Sequence, residues 1–341
     1  MPVSAAPDAE CLGWTDFFGD QVAADEAGFA PMRIATVHRA RLTAISRDGP
    51  VRLTLPVHTN TADFAVGDWV LVDRETRLLH RRLDRKTLLE RRPDGAMAPQ
   101  LIAANIDTLF IVTSCNADFN PARLERYLAL ANAAGINPVI VLTKADTVAD
   151  AEDFATQARA LQRGLVAVTL NAKAADAVLV LAPWCGTGQT VALVGSSGVG
   201  KSTLLNTLAG PDQASPQETG GVRAGDAKGR HTTTSRSLHT IASGGWVIDT
   251  PGMRSLHVSD VAHGIETLFA EITELAPLCR FRDCSHAHEP GCAVQAAVAS
   301  GALDPARLER WRKLHDENRD NTPVQTGARG NKSAFARPKK R

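Results

Sequence analysis

The stretch GSSGVGKST, Gly195 to Thr203, has the full eight-residue spacing of a phosphate-binding loop. Before it lies TVALV, Thr190 to Val194, a β-branched run that reads as a buried strand. After it, KSTLLNTLAG reads as a helix ended by Gly210. In that setting the backbone N–H groups of Gly195, Ser196, Ser197, Gly198, Val199 and Gly200 turn inward around phosphates. Lys201 puts a positive charge on the β and γ phosphates, Ser202 offers a hydroxyl to Mg²⁺, and Thr203 follows on the first helical turn as a further nucleotide contact.

A nucleotide switch also needs a sensor of metal and γ-phosphate. WVIDTPGMR supplies the pattern: an apolar strand from Trp246 to Ile248, then Asp249 to hold Mg²⁺ and Gly252, whose N–H would meet the γ-phosphate. Between the two elements, GRHTTTSR carries Thr232, Thr233 and Thr234, any one of which can give a hydroxyl to the metal; spacing does not choose among them. Purine recognition falls to NPVIVLTKAD, Asn137 to Asp146. Asp146 can accept from N1 and N2 of guanine, a donor pair that adenine lacks, while Thr143 and Lys144 lie beside the base. GLVAVTLNAKA then brings Asn171, Ala172 and Lys173 to the base from the other side.

The base-reading stretches therefore precede the phosphate-reading ones, the reverse of the usual order. A permuted chain can close the same sheet when the old termini are neighbours, and Asp176 to Gln189 reads as the segment that joins them.

Downstream, Cys279, Cys284, His286 and Cys292 are spaced C-x4-C-x-H-x5-C. Three thiolates and one imidazole form a closed tetrahedral set for a structural Zn²⁺, with His288 as the alternative nitrogen ligand. Asp304 to Asn318 reads as a helix capped by Asp304, with Pro305 at its first position and Leu308, Trp311 and Leu314 on its apolar side.

Scaffold elements must hold these groups. A chain of 341 residues has room for two or three domains, and 44% apolar with 22% charged residues suits globular units with substantial cores. A net charge of +1 confines any nucleic-acid surface to a local patch. No apolar run of membrane-spanning length and no signal-like N-terminus is present, and scattered cysteines fit a reducing compartment. Between Arg33 and Arg92, short alternating runs separated by turns predict a small OB-like β-barrel. That stretch holds 13 Lys and Arg against 7 Asp and Glu, a local excess suited to RNA backbone. The last residues, Thr326 to Arg341, carry only basic charge and read as a disordered tail. CLGWTDFF near the start fits either an anchor against the barrel or a peptide for a partner.

Taken together, the motif order TKAD, GSSGVGKS, GRHTTT, DTPG and the cysteine spacing resemble the RsgA (YjeQ) family, the small ribosomal subunit biogenesis GTPases of bacteria, over roughly Arg33 to Asn318. The resemblance implies a cytoplasmic, Mg²⁺-dependent enzyme that hydrolyses GTP to GDP, binds the 30S subunit, is stimulated by it and acts late in subunit maturation, with the barrel and zinc domain touching 16S rRNA; a monomer is expected. It also implies an α/β P-loop GTPase fold with permuted motifs. The expected division is an extension over 1–32, the barrel over 33–95, the GTPase domain over 96–258, a helical zinc domain over 259–322 and the tail over 323–341. Two positions depart from common GTPase usage: Thr143 stands where Asn is usual, and Met253 where many GTPases place a water-orienting Gln. His231, in the GRHTTT stretch, is the expected substitute for that Gln as the catalytic group. A nucleotide-gated RNA-binding protein with incidental hydrolysis, and an ATPase or nucleotide kinase on the same loop, are the competing readings.

Overall fold

The computed structural model describes residues 7–46, 48–92, 98–210, 236–250 and 258–322. Two single-turn helices, α1 (Pro7–Glu10) and α2 (Asp16–Gly19), precede the strands β1 (Ala30–His38), β2 (Arg41–Ser46), β3 (Gly49–Arg52), β4 (Trp69–Val72) and β5 (Leu79–Arg82). Antiparallel pairing runs β3 to β2 to β1 to β4 to β5. Just past β3, Thr54 bridges Leu78 in the parallel sense and closes the ring. The circular order β1-β2-β3-β5-β4 is that of an OB-type Greek-key barrel.

Strand alternation sorts its side chains. Met32, Ile34, Val70 and Val72 turn into the barrel core, while Ala35, Trp69 and Leu71 face outward into a second core. Trp14 and Phe18 pack there, with ring centroids 4.8 and 5.8 Å from Trp69. CLGWTDFF is thus an anchor on the outer face of the barrel. Arg33 shares that outward face and is 1% exposed; it donates to the carbonyls of Leu12 (2.7 Å), Asn105 (3.1 Å) and Gly67 (3.4 Å).

A hairpin of β6 (Leu88–Arg91) and β7 (Gln100–Ala104) follows. It straddles the expected domain boundary at 95, because β6 pairs with β7 instead of joining the barrel. The GTPase-like unit then runs β8 (Thr108–Ser114), α3 (Pro121–Ala133), β9 (Asn137–Thr143), α4 (Ala151–Arg159), β10 (Val166–Thr169), α5 (Ala177–Leu181), β11 (Thr190–Val194), α6 (Lys201–Ala209), β12 (Ser237–Thr240) and β13 (Trp246–Asp249). Its strands lie in the order β10-β9-β8-β11-β13-β12, all parallel except β12. Near-continuous apolar strands fit a sheet covered on both faces. Leu109, Ile111, Ile140, Leu142 and Ile248 belong to the core that includes α3, and Phe110, Val112, Val139, Val141 and Val247 to the core that includes α6. β12 also pairs with β1 at Ser237 and Thr36, so the barrel and the GTPase unit share one eleven-stranded sheet.

The chain ends its described part in α7 (Ala262–Leu268), α8 (Ala270–Leu275), α9 (Ala293–Ala299) and α10 (Pro305–Asn321). Asp304 caps α10 through the Ala306 N–H at 3.0 Å, with Pro305 at the first position. α7 lies so close to α3 that a Cβ on Gly264 would stand 1.9 Å from the Ala129 carbonyl oxygen. α10 returns to hold the chain entering α7. Glu317 accepts from Val258 N–H (3.3 Å), Asn318 from Val261 N–H (3.0 Å) and Thr322 from Asp260 N–H (2.9 Å).

Candidate nucleotide and metal sites

The described stretches expected to read a nucleotide leave the carboxyl ends of strands, where open α/β sheets bind ligands. Gly195 follows β11, Lys144 follows β9, Asn171 closely follows β10, and Asp249 ends β13. Gly195, Gly198 and Gly200 take φ of 140°, 79° and 95°, which side chains disfavour. At Gly195 space is a second reason, since a Cβ would lie 2.1 Å from the Val112 carbonyl oxygen. The Lys201 ammonium lies across the loop, 2.8 Å from the Gly195 carbonyl oxygen and 2.5 Å from that of Ser196. Ser202 and Thr203 sit half-buried on the first turn of α6.

The base-side stretches are tied to this loop by hydroxyls. Thr143 is fully buried, with its Oγ1 2.6 Å from the Val199 carbonyl oxygen and 3.1 Å from that of Thr113. Thr207 on α6 donates to the Ala172 carbonyl at 2.7 Å. Asn171 accepts from the Lys173 N–H at 3.0 Å, turning that short segment back on itself. Lys144 adopts the left-handed conformation, φ 58°, and Asp146 beyond it is exposed and free of the strand.

On the sensor side, Thr250 is buried and donates to the Leu193 carbonyl at 2.5 Å, which fixes the end of β13 beside β11. His239 lies on β12 with its Nε2 2.7 Å from Ser237 Oγ; burial lowers its pKa while Asp249 acts in the opposite direction. His231, Thr232, Thr233, Thr234, Gly252 and Met253 lie outside the described residues. Asp249 and Ser202 offer a carboxylate and a hydroxyl, the hard oxygen donors that Mg²⁺ takes.

The cysteine cluster has converged. The four ligand atoms of Cys279, Cys284, His286 and Cys292 all lie within 4.8 Å of one another. Cys279 Sγ is 3.8 Å from Cys292 Sγ, and each of these sulfurs is 3.5 Å from His286 Nδ1. Tetrahedral zinc with ordinary bond lengths requires roughly 3.8 Å between sulfurs and roughly 3.5 Å from sulfur to nitrogen. The residues fit the ion, and His286 is the nitrogen that faces it. Burial lowers the His286 pKa, favouring the neutral imidazole that ligates. Outer partners fix the loop: Glu289 accepts from Ser285 N–H at 2.8 Å and Ala287 N–H at 3.0 Å, while Gln295 and Arg312 donate to the His286 carbonyl.

The sequence model for the RsgA GTPase family matches residues 82–259. Over 338 residues the chain is 66% identical to the small ribosomal subunit biogenesis GTPase RsgA of Mesorhizobium japonicum, covering 99% of this chain and 98% of that one. This chain belongs to the RsgA GTPase family. A second relative named small ribosomal subunit biogenesis GTPase RsgA 2, from Vibrio vulnificus, is 48% identical over 91% of this chain and 88% of its own. Among solved structures, YjeQ from Thermotoga maritima is similar at TM-score 0.63 and 25% identity, covering 85% of this chain and 98% of that one. YloQ, described as a circularly permuted GTPase, is similar at TM-score 0.61 and 25% identity, covering 89% and 99%. The permuted α/β GTPase fold expected from the motif order is therefore the fold of this RsgA family member, and the family is one of GTP hydrolases.

The basic stretch needs correction in one respect. Several of its charges serve the fold of this RsgA chain: Arg33 is buried, Arg81 pairs with Glu26 (2.6 Å), Arg85 with Asp68 (2.6 Å) and Arg92 with Asp260 (3.0 Å). Basic side chains left exposed on the barrel include Arg39, Arg41, Arg52, Arg74 and Arg77. Among the described residues no helix is long and apolar enough to cross a membrane. Thr207 and Thr113 carry no motif in the sequence; Thr207 is revealed by its hydroxyl donating to the Ala172 carbonyl, and Thr113 by its backbone carbonyl accepting from Thr143.

Proposed function

We propose that this RsgA family member hydrolyses GTP to GDP and phosphate in the service of small-subunit assembly, is stimulated by the 30S subunit, and couples its nucleotide state to the grip and release of 16S rRNA. The observation that carries the reading is the hydroxyl-tied convergence of the loop Gly195–Gly200, Thr143 and Ala172 at one end of the sheet. Support for the ribosomal partner comes from relatives named as small ribosomal subunit biogenesis GTPases.

In this reading the N–H groups of residues 195–200 and the Lys201 ammonium hold the phosphates, and Asp146 reads guanine, with Lys144, Asn171 and Ala172 packed about the base. Ser202, Asp249 and one of Thr232, Thr233 or Thr234 would hold Mg²⁺, which when bound neutralises charge that develops on the phosphoryl oxygens. Thr203 lies beside them on the same turn. Gly252 supplies an N–H to the γ-phosphate and His231 orients the attacking water. Cys279, Cys284, His286 and Cys292 would hold a structural Zn²⁺ that fixes the loop ahead of α9. rRNA contact falls to the exposed arginines of the barrel, to the zinc domain and to the basic tail. The protein acts as a monomer in the cytoplasm. Its domains are those expected above, with the β6–β7 hairpin assigned to the GTPase side.

Phosphate release from GTP, with ATP as control, tests the reading with and without purified 30S subunits. Strong stimulation with GTP alone is expected. Slow turnover that stays unchanged at subunit concentrations that demonstrably bind would leave a nucleotide-gated RNA-binding protein instead, and hydrolysis of ATP at an equal rate would remove the guanine reader. Normal stimulated turnover in His231→Ala would take the water-orienting role from that residue.

A further inference from the structure

We infer that the loop from Arg280 to Asp283 is a platform for an unpaired base of single-stranded RNA, with Phe281 as the stacking face and Arg280 and Arg282 as the phosphate contacts. The inference rests on the rRNA-binding reading above and adds to it a site, a chemistry and a preference for single strands.

Among the described residues 258–322, two large apolar side chains stand exposed, Phe281 at 42% and Leu278 at 70%. Both lie at the start of the cysteine cluster. Cys279 and Cys284 hold the two ends of the loop at the converged ligand set. Between them the Arg280 N–H donates to the Gly291 carbonyl at 3.0 Å. Gly291 takes φ 79°, and a Cβ there would stand 3.0 Å from the Arg280 Cβ, so the bare backbone lets the arginine stem lie across it. The Arg280 guanidinium then comes to 5.5 Å from the centre of the Phe281 ring. The ring is held outside the fold by a loop fixed at both ends, which cuts the entropy lost when a ligand settles on it.

Charge decides between an apolar protein partner and RNA. Arg280 and Arg282 are exposed, and among the described residues no carboxylate pairs with either. Exposed arginines elsewhere are paired, Arg163 with Glu274 and Arg319 with Asp316, each at 2.8 Å. Two unpaired cations beside an aromatic face suit a ligand that carries phosphates and a flat π system together. In an RNA duplex the base faces are covered by their neighbours, so only an unpaired base can use the ring. Every base has such a face, and the platform is therefore tolerant of sequence.

The test uses the zinc-loaded full chain and two probes, an unstructured RNA oligonucleotide and the duplex it forms with its complement. Phe281→Ala and Phe281→Leu should each weaken the single strand by about tenfold, the loss of one stacked base, and leave duplex affinity at the wild-type value. Phe281→Trp should bind the single strand at least as tightly, and its added indole emission should fall as the base stacks. Arg282→Gln should make the slope of log affinity against log salt shallower by about 0.7 for the single strand. Unchanged single-strand affinity in Phe281→Ala, with zinc content retained, would overturn the proposal. So would an equal loss for both probes, or wild-type affinity in Phe281→Leu, which would make the contact apolar without stacking. If Phe281→Ala lowers 30S binding while both RNA affinities stay intact, the face docks a ribosomal protein and the proposal fails. The underlying reading has its own control: a wild-type chain that binds neither 16S rRNA nor the 30S subunit removes that reading, whereas binding of both with no effect at Phe281 removes only the platform.

Discussion

On its barrel side the GTPase unit is joined chiefly by neutral backbone and side-chain hydrogen bonds and one buried guanidinium; on its zinc side it is joined by carboxylates paired with arginines. The first junction includes the β12–β1 pairing, the Ala104 N–H bonded to the Val66 carbonyl at 2.8 Å, the Asn105 amide donating to the Gly67 carbonyl at 3.0 Å, the Trp246 indole donating to the Cys11 carbonyl at 2.7 Å, and Arg33, which donates to the Asn105 carbonyl across the junction and to Leu12 and Gly67 on the barrel side. Among the described residues no carboxylate pairs directly with Arg33. Burial lowers its pKa to about 10, with the charges of Asp107 and Asp68 opposing, so it remains charged at neutral pH. The second junction centres on Glu125 of α3, which is 2% exposed and takes Arg307 and Arg310 at 2.8 Å each. Arg307 also pairs with Glu271 at 2.7 Å and lies 4.0 Å over the Phe269 ring, and Arg126 pairs with Glu317 at 2.5 Å. Carbonyl acceptors hold position with little response to salt or acid. Buried ion pairs define geometry sharply, and losing one partner strands the other's charge.

The contrast can be broken most severely at the proposed zinc site. Replacing Cys292 with Ser, or stripping zinc with a chelator, should cost a binding energy of order 10 kcal/mol and unfold the loop over 279–292. Metal analysis should fall from one zinc per chain to near none, while amide exchange protection on β1 stays as in wild type. Protection lost on β1 as well would show that the two junctions are not independent.

Next in size is Glu125→Ala, expected to lower unfolding free energy by about 4 kcal/mol because two arginines lose their buried carboxylate. Adding Arg307→Met should recover part of that loss, and a denaturant midpoint measured for each variant checks the cycle. Additive losses would argue that the pair is not coupled.

Arg33→Met should cost about 2 kcal/mol, since it removes the donor from three carbonyls but leaves no stranded charge. The loss should be nearly the same at about 0.1 M and about 1 M salt, whereas the exposed outer parts of the zinc-side network should weaken at high salt.

The smallest effect concerns Glu26, which the hydrogen bond from Arg81 holds at a pKa of about 2, against an ordinary 4.5. Its folded pKa lies below its unfolded one. The stability it contributes is therefore complete above about pH 4.5 and fades as pH falls toward about 2. Glu26→Gln should flatten that part of the acid unfolding curve and leave the rest of it in place.

How much of this was legible in the sequence depends on how local the constraint is. The phosphate loop is readable because Gly195, Gly198 and Gly200 are dictated by φ angles within a few residues of each other. The zinc set is readable because its ligands lie within fourteen residues, Cys279 to Cys292. Motif order alone disclosed the permutation. Arg33 was counted with the basic surface because its acceptors lie 21, 34 and 72 residues away, and only the alternation of β1 against the N-terminal anchor turns it inward. Glu125 and Arg307 are 182 residues apart, and helical charge patterns give no hint of a partner at that distance. Thr143 fell between: its position in the motif was readable, but the direction of its hydroxyl is set by packing under Gly200.

The pairing of β12 with β1 has a practical side. β12 is the outermost strand of the GTPase part of the sheet, and among the described residues its far edge is covered by the barrel, which pairs with it at Thr36 and Ser237. Cut the barrel away and that edge becomes an open template for strand addition. The barrel is in this sense a guard against self-association, and a dissected GTPase fragment should clump more readily than the whole chain.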